Sequence, residues 1–192
     1  MDIVMKKLSK FVLLTVLSTI GTAAAAEDGT ITFDGTISDA TCTITGGDAS
    51  GESASPDFTV HLPSISTTAL QTDGQRAGDT PFFIKLSGAN CTNGKIASVF
   101  FELAQSTNIN AVTGNLKNSV AKTSGGADKV EIGLLDSTKA ILNLNTANNN
   151  AKTVTVSGNT AKFDYWAQYV ATGGAATAGK VTTDVVYSIK YQ

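Results

Sequence analysis

A two-residue apolar period, interrupted every few residues by glycine, asparagine or serine, recurs along this chain and restricts it to short strands. It is carried by Phe58, Val60 and Leu62, by Phe82, Ile84 and Leu86, by Val99, Phe101 and Leu103, by Val130, Ile132 and Leu134, by Val154 and Val156, and by Phe163, Tyr165, Ala167 and Tyr169. No long stretch repeats apolar residues at the three- and four-residue spacing of an amphipathic helix. Many short strands with small polar turns between them specify an all-β sandwich. Turns are expected at Gly46-Gly47, where a strand containing Cys42 should end, and at residues 136–139, which should give a hairpin to 141–144. Residues 48–56 read as a surface loop, and 64–79 as a loop with one helical turn near 68–71.

The first residues have the form of an export signal. Lys6, Lys7 and Lys10 precede a ten-residue apolar run over 11–20, and the small residues 22–26 suit signal peptidase. A bilayer span needs about 20 apolar residues, twice what this run supplies. Residues 1–26 are therefore set apart as a signal peptide, and Met5 is an alternative start. About 166 residues remain, enough for one domain with a sizeable core. Losing three lysines and Asp2 with the signal leaves 11 basic against 15 acidic residues, a balance that argues against nucleic acid as a partner. Cys42 and Cys91 are the only cysteines, and in an exported chain such a pair is most simply one disulfide. A metal site lacks ligands, since His61 is the sole histidine and no Cys-x-x-Cys occurs.

Catalytic chemistry has no foothold. There is no Gly-x-Ser-x-Gly elbow, and no base is marked out beside a nucleophile. His61 reads as a surface residue and Trp166 as a packed one. Residues 174–180 match the phosphate-loop spacing up to Lys180, but Val181 stands where serine or threonine would hold magnesium, and a strand follows where a helix is needed. No catalytic, cofactor-binding or metal-binding residue is expected. The formal glycosylation acceptor at Asn90 has Cys91 at its centre and carries little weight.

Two stretches near the ends of the chain set the functional reading. Residues 29–37 read Gly-Thr-Ile-Thr-Phe-Asp-Gly-Thr-Ile, with Ile31, Phe33, Gly35 and Ile37 on one face and Thr30, Thr32, Asp34 and Thr36 on the other. In the last twelve residues Val181, Val185, Tyr187, Ile189 and Tyr191 share a face, so apolar that the strand should lie inside a sheet and not at an exposed edge. By periodicity alone residues 29–37 could be an ordinary first strand of a complete sandwich, and an exported carbohydrate-binding module would then be the alternative function.

The opening Gly29 to Ile37 run, Cys42, Phe82-x-Ile84-x-Leu86 before Cys91, Ile132-Gly-Leu-Leu-Asp136, Tyr169-x-Ala171-Thr172-Gly173 and the final Tyr191-Gln192 together resemble the pilin subunits of chaperone–usher fimbriae, above all the major subunit of type 1 fimbriae. Gly179, fourteenth from the end, and the penultimate Tyr191 match that family's C-terminal signature; the loop after Gly47 and residues 87–90 are longer than its pattern. The resemblance implies an incomplete immunoglobulin-like β-sandwich lacking its last strand, formed by residues 40–192, with 27–39 as an N-terminal donor-strand extension. Ile31, Phe33, Gly35 and Ile37 would insert into a neighbour's groove. Gly179, Val185, Tyr187, Ile189 and Tyr191 would belong to the acceptor wall and chaperone-recognition strand. Implied partners are identical or related pilin subunits, a periplasmic chaperone and an outer-membrane usher, with export through the periplasm to a surface fimbrium. The implied role is a shaft subunit polymerised by donor-strand exchange, with a minor adaptor subunit as the alternative; no cofactor is implied.

Overall fold

The computed structural model describes residues 42–147, 149 and 151–192. Among these it contains nine strands: β1 Thr43–Asp48, β2 Gly51–Ser53, β3 Arg76–Ser87, β4 Ile96–Phe101, β5 Leu116–Lys117, β6 Val130–Asp136, β7 Thr153–Thr155, β8 Thr160–Ala171 and β9 Tyr187–Tyr191. They form a six-stranded sheet in the order β2-β1-β3-β8-β6-β5 and a three-stranded sheet in the order β7-β4-β9, with antiparallel ladders throughout.

The alternating residues form the contact between the sheets. Phe82, Ile84 and Leu86 of β3 and Phe163, Tyr165 and Ala167 of β8 are buried against Ala97, Val99 and Phe101 of β4. Tyr165 stacks on Phe82 at 5.4 Å between ring centroids and meets Phe101 of the opposite sheet edge-on at 5.7 Å. Inward side chains of two sheets interlocked in this way are what a β-sandwich requires. Cys42 and Cys91 form a disulfide with 4.4 Å between their Cα atoms, fastening the chain just before β1 to the loop after β3.

Several local expectations are corrected. Gly46 and Gly47 lie inside β1, and the turn follows at residues 49–50, so 51–53 is a hairpin strand and not part of a loop. These glycines serve close packing: a Cβ on Gly46 would sit 2.3 Å from the Phe58 ring, and one on Gly47 would sit 2.1 Å from the Gly51 carbonyl. Phe58, Val60 and Leu62 lean on the core, but their segment joins no ladder. Leu103 lies beyond β4 and is exposed, because the strand ends at Phe101. The helical turn expected near 68–71 falls at Thr67–Ala69, a residue or two early, where Ser66 Oγ caps it by accepting from the Thr68 N–H. The hairpin at 136–139 forms, yet its return strand is reduced to a bridge between Leu135 and Ile141. All of β6 is buried on both faces, with Glu131 accepting hydrogen bonds from Asn110, Thr113 and Asn115. The alternation in β6 therefore marks only the face shared with the other sheet.

The terminal stretch departs furthest from expectation. Of residues 181–192 only Tyr187–Tyr191 is a strand, and among the described residues it pairs with β4 alone, at an edge of the smaller sheet. The expected export signal (1–26) and donor extension (27–39) lie outside the described residues.

Candidate strand-acceptor site

The hydrogen-bond alternation of an antiparallel ladder decides which way β9 presents its backbone. Ile96 and Gln192 exchange both backbone bonds, at 3.2 and 2.8 Å, and Glu102 N–H donates to Val186 O at 2.8 Å. The even-numbered residues from 186 to 192 thus aim their N–H and C=O groups at β4. Upstream, Lys180 and Thr182 are fixed on the same side: Lys180 N–H donates to Gly125 O, Ser119 N–H to Thr182 O, and Thr182 N–H to Asn118 Oδ1. The odd-numbered residues Val181, Thr183, Val185, Tyr187, Ile189 and Tyr191 aim their backbone groups at the other edge, where no described residue pairs with them. Their side chains are half-buried, and the five apolar ones pack on the core.

A second wall faces that edge. Residues 56–66 run opposite to the C-terminal stretch: Tyr187 Oη donates to Pro56 O at 2.7 Å at one end, and Ser64, Ile65 and Ser66 share a pocket with Gly179 and Val181 at the other. Phe58 meets Tyr187 edge-on with centroids 6.4 Å apart. No ladder joins these two extended segments. An apolar floor between two segments that no ladder among the described residues joins has the form of a seat for one additional strand.

Asp48 anchors this second wall. Its buried carboxylate accepts the backbone N–H groups of Ser50 and His61, both at 2.7 Å, and lies 3.0 Å from His61 Nδ1. Burial pushes its pKa up, but the bonds from His61 and Ser50 outweigh that and lower it from 3.8 to about 2. Burial, reinforced by the charge of Asp57, raises the Tyr187 phenol, which therefore stays protonated and able to donate to Pro56.

Gly179 opens the C-terminal wall, and it stands there for lack of space. A Cβ would lie 2.3 Å from Ala127 N and 2.5 Å from Gly126 C, both backbone atoms. That contact lets Lys180 exchange backbone bonds with residues 125–127 and sets the direction of the strand that follows. Gly179, Val185, Tyr187, Ile189 and Tyr191 are therefore brought into one wall, whereas Ile31, Phe33, Gly35 and Ile37 lie outside the described residues. Sequence reading missed Asp48 and the role of 56–66 as the facing wall. The half-strand Phe58-x-Val60-x-Leu62, followed by Pro63, held the one available signal, because a central strand would not place proline there.

The remaining sequence features lie apart from this site. His61 is exposed, and Trp166 is half-buried beneath Lys139, whose Nζ stands 4.2 Å from the ring centroid. No helix follows Lys180 in the phosphate-loop-like run, and no group of three metal-ligating side chains occurs among the described residues.

Comparison with known proteins gives a consistent answer. The family model described as "FimA: Type-1 fimbrial protein, A" matches residues 62–192. The F17 fimbrial protein of Escherichia coli is 38% identical over 189 residues, covering 95% of this chain and 98% of its own. The major fimbrial subunit SMF-1 of Stenotrophomonas maltophilia (strain K279a) is 39% identical over 175 residues, covering 88% of this chain and 95% of its own. Among solved structures, a chain from a chaperone–usher pilus, determined to explain uncoiling of the rod, superposes with a TM-score of 0.56 at 17% identity over 89% of this chain and 99% of that one.

Proposed function

The chain belongs to the type-1 fimbrial protein family, a family of structural fimbrial subunits and not of enzymes, and on that premise we propose that it builds the shaft of a surface fibre by accepting, along β9, the N-terminal extension of the next subunit. The observation that carries this reading is the run of six alternate residues from Val181 to Tyr191 whose backbone groups face an edge with no described partner while their side chains remain half-buried. An apolar edge strand left in that state invites uncontrolled association, so a strand that covers it is a requirement of solubility as well as of assembly.

The donor is residues 29–37, with Ile31, Phe33 and Ile37 filling the seat and Gly35 at a shallow position. Strand addition between chaperone and pilin is a recognised mode of peptide binding. Each backbone hydrogen bond contributes about 0.5–1.5 kcal/mol net, and each large apolar side chain buried adds roughly 1.5–3 kcal/mol. Such a joint needs no covalent link. Donor and acceptor are different surfaces of one chain, so the contact runs head to tail, does not close, and propagates as a filament. Before assembly a periplasmic chaperone strand covers the same edge, and an outer-membrane usher is where one strand replaces the other. Residues 1–26 direct export to the periplasm, 27–39 form the donor and 40–192 the acceptor domain.

The test is thermal unfolding of a mature subunit lacking residues 27–39, with and without a synthetic peptide of residues 29–38. A large rise in melting temperature with peptide, abolished by Gly35→Leu in the peptide, is expected. A truncated protein that is already stable and indifferent to peptide would refute the reading.

A further inference from the structure

The outer face of the smaller sheet carries a cleft that strand acceptance does not use. Ala97, Val99 and Phe101 of β4 pack into the core, so Ser98 and Phe100 point outward. The ladders set Thr153 of β7 and Lys190 of β9 directly opposite Ser98, in one row across the three strands. A short side chain at the centre of that row leaves a hollow. It is a cleft of about 250 Å³ lined by Ser98, Phe100, Ala151, Thr153, Lys190 and Gln192. Ser98 is only 8% exposed, yet its hydroxyl still opens to the cleft.

The polar groups around this cleft are unengaged. The side chains of Ser98, Thr153, Lys190 and Gln192 make no hydrogen bond or ion pair among the described residues. Lys85, Lys122, Lys139, Lys152 and Lys162 each stand against a carboxylate. Lys190 instead has its Nζ 3.3 Å from the centroid of the Phe100 ring, while Glu102, just beyond β4, accepts from the Ser188 hydroxyl. The ring holds the ammonium at the cleft without neutralising it, which leaves the charge available to an anion.

We propose that this cleft binds an acidic sugar, a single pyranose ring bearing a carboxylate. The carboxylate accepts from the Lys190 ammonium and the Ser98 hydroxyl, and the ring hydroxyls exchange hydrogen bonds with Thr153 and the Gln192 amide. The hollow is smaller than the roughly 300–1,000 Å³ of a site for a drug-sized ligand, and suits one sugar ring. A neutral sugar leaves the ammonium without a partner. A peptide carboxylate brings a main chain that needs a free strand edge, whereas β4 is paired on one side by β7 and on the other by β9. A phosphate favours converging backbone N–H groups or arginine, and the lining has no arginine and no helix N-terminus. The site lies on the face of β4 and not on the open edge of β9, so it stands whether or not that edge accepts a strand. A fibre that repeats it in every subunit makes a weak single site effective by multivalency.

The experiment is saturation-transfer NMR on the full mature chain, titrated separately with methyl β-D-glucuronide, methyl β-D-glucoside and acetate. The glucuronide should bind in the millimolar range, with the neutral sugar and acetate each at least about tenfold weaker, the worth of a hydrogen bond to a charged group. Lys190→Gln should weaken the glucuronide about tenfold, and Thr153→Ala should weaken the glucuronide while leaving acetate unchanged. Both side chains are exposed, so both variants should melt at the wild-type temperature. Absence of saturation transfer at tens of millimolar glucuronide overturns the site. Acetate binding as tightly as the glucuronide reduces it to a bare anion contact and overturns the sugar, as does a neutral sugar that binds equally well. A Lys190→Gln chain that binds like wild type overturns the role of the ammonium. None of these outcomes bears on strand acceptance, which the peptide experiment tests by itself.

Discussion

Replacing Gly179 by alanine should separate the C-terminal wall from the body of the domain, and the structure sets the scale of the effect. The new Cβ would fall 2.3 Å from Ala127 N, 2.5 Å from Gly126 C and 2.7 Å from Ala127 Cα, so nothing flexible can move aside and the two backbones must part. Parting them strains the Ala127 N–H bond to Lys180 O and the Lys180 N–H bond to Gly125 O, both 2.9 Å. It also disturbs Asn118, whose Nδ2 donates to the carbonyls of Ala127 and Lys180. Two backbone bonds at about 0.5–1.5 kcal/mol each, with about 1–3 kcal/mol for overpacking, give a loss of roughly 2–6 kcal/mol. Urea unfolding of the subunit measures the total, and amide hydrogen exchange at Ala127 and Lys180 locates it. Loss of protection at these two amides with little change in the centre of β3 and β8 is the expected pattern. A loss below about 0.5 kcal/mol, with both amides still protected, would show that close backbone approach is not why glycine stands at this position.

Changing Cys42 and Cys91 together to serine opens a loop of 49 residues, which the chain-entropy relation equates with about 4 kcal/mol; a drop in urea midpoint is expected, with a steeper slope because the denatured chain expands once the cross-link is gone, and a midpoint within error of wild type would exclude it. Asp48→Asn removes the charge that holds residues 56–66 to β1, and should lower stability at neutral pH by roughly 2 kcal/mol, the worth of a carboxylate lowered from 3.8 to about 2. Because that pKa is depressed, the contribution is fully present above about pH 4 and lost as pH falls toward 2. The stability curves of variant and wild type should therefore run parallel above pH 4 and converge below it, and a gap that persists at pH 2 would contradict the assignment.

The alternating residues of β3, β4 and β8 could be read directly because side-chain direction in a strand depends only on the local backbone. Phe82, Ile84 and Leu86 face the core whichever strands lie beside them. Pairing is a different matter. Phe58, Val60 and Leu62 show the same period as Phe82, Ile84 and Leu86, and nothing local distinguishes a segment that joins a ladder from one that flanks an open edge. Gly46 and Gly47 read as a turn because glycine is common there, yet their smallness serves the Phe58 ring and the β2 backbone, which reach them from elsewhere in the chain.

The sequence by itself determined the class of fold, the disulfide pair, the absence of a catalytic constellation and the family, since these rest on composition, local periodicity and the order of short motifs. Only the tertiary structure decided that, among the described residues, β9 is an edge, that residues 56–66 face it without pairing, and that Gly179 touches the backbone of residues 126–127. Each of these is a relation between segments from about 50 to more than 100 residues apart, and hydrogen bonding and excluded volume act through distance in space, which separation along the chain does not encode.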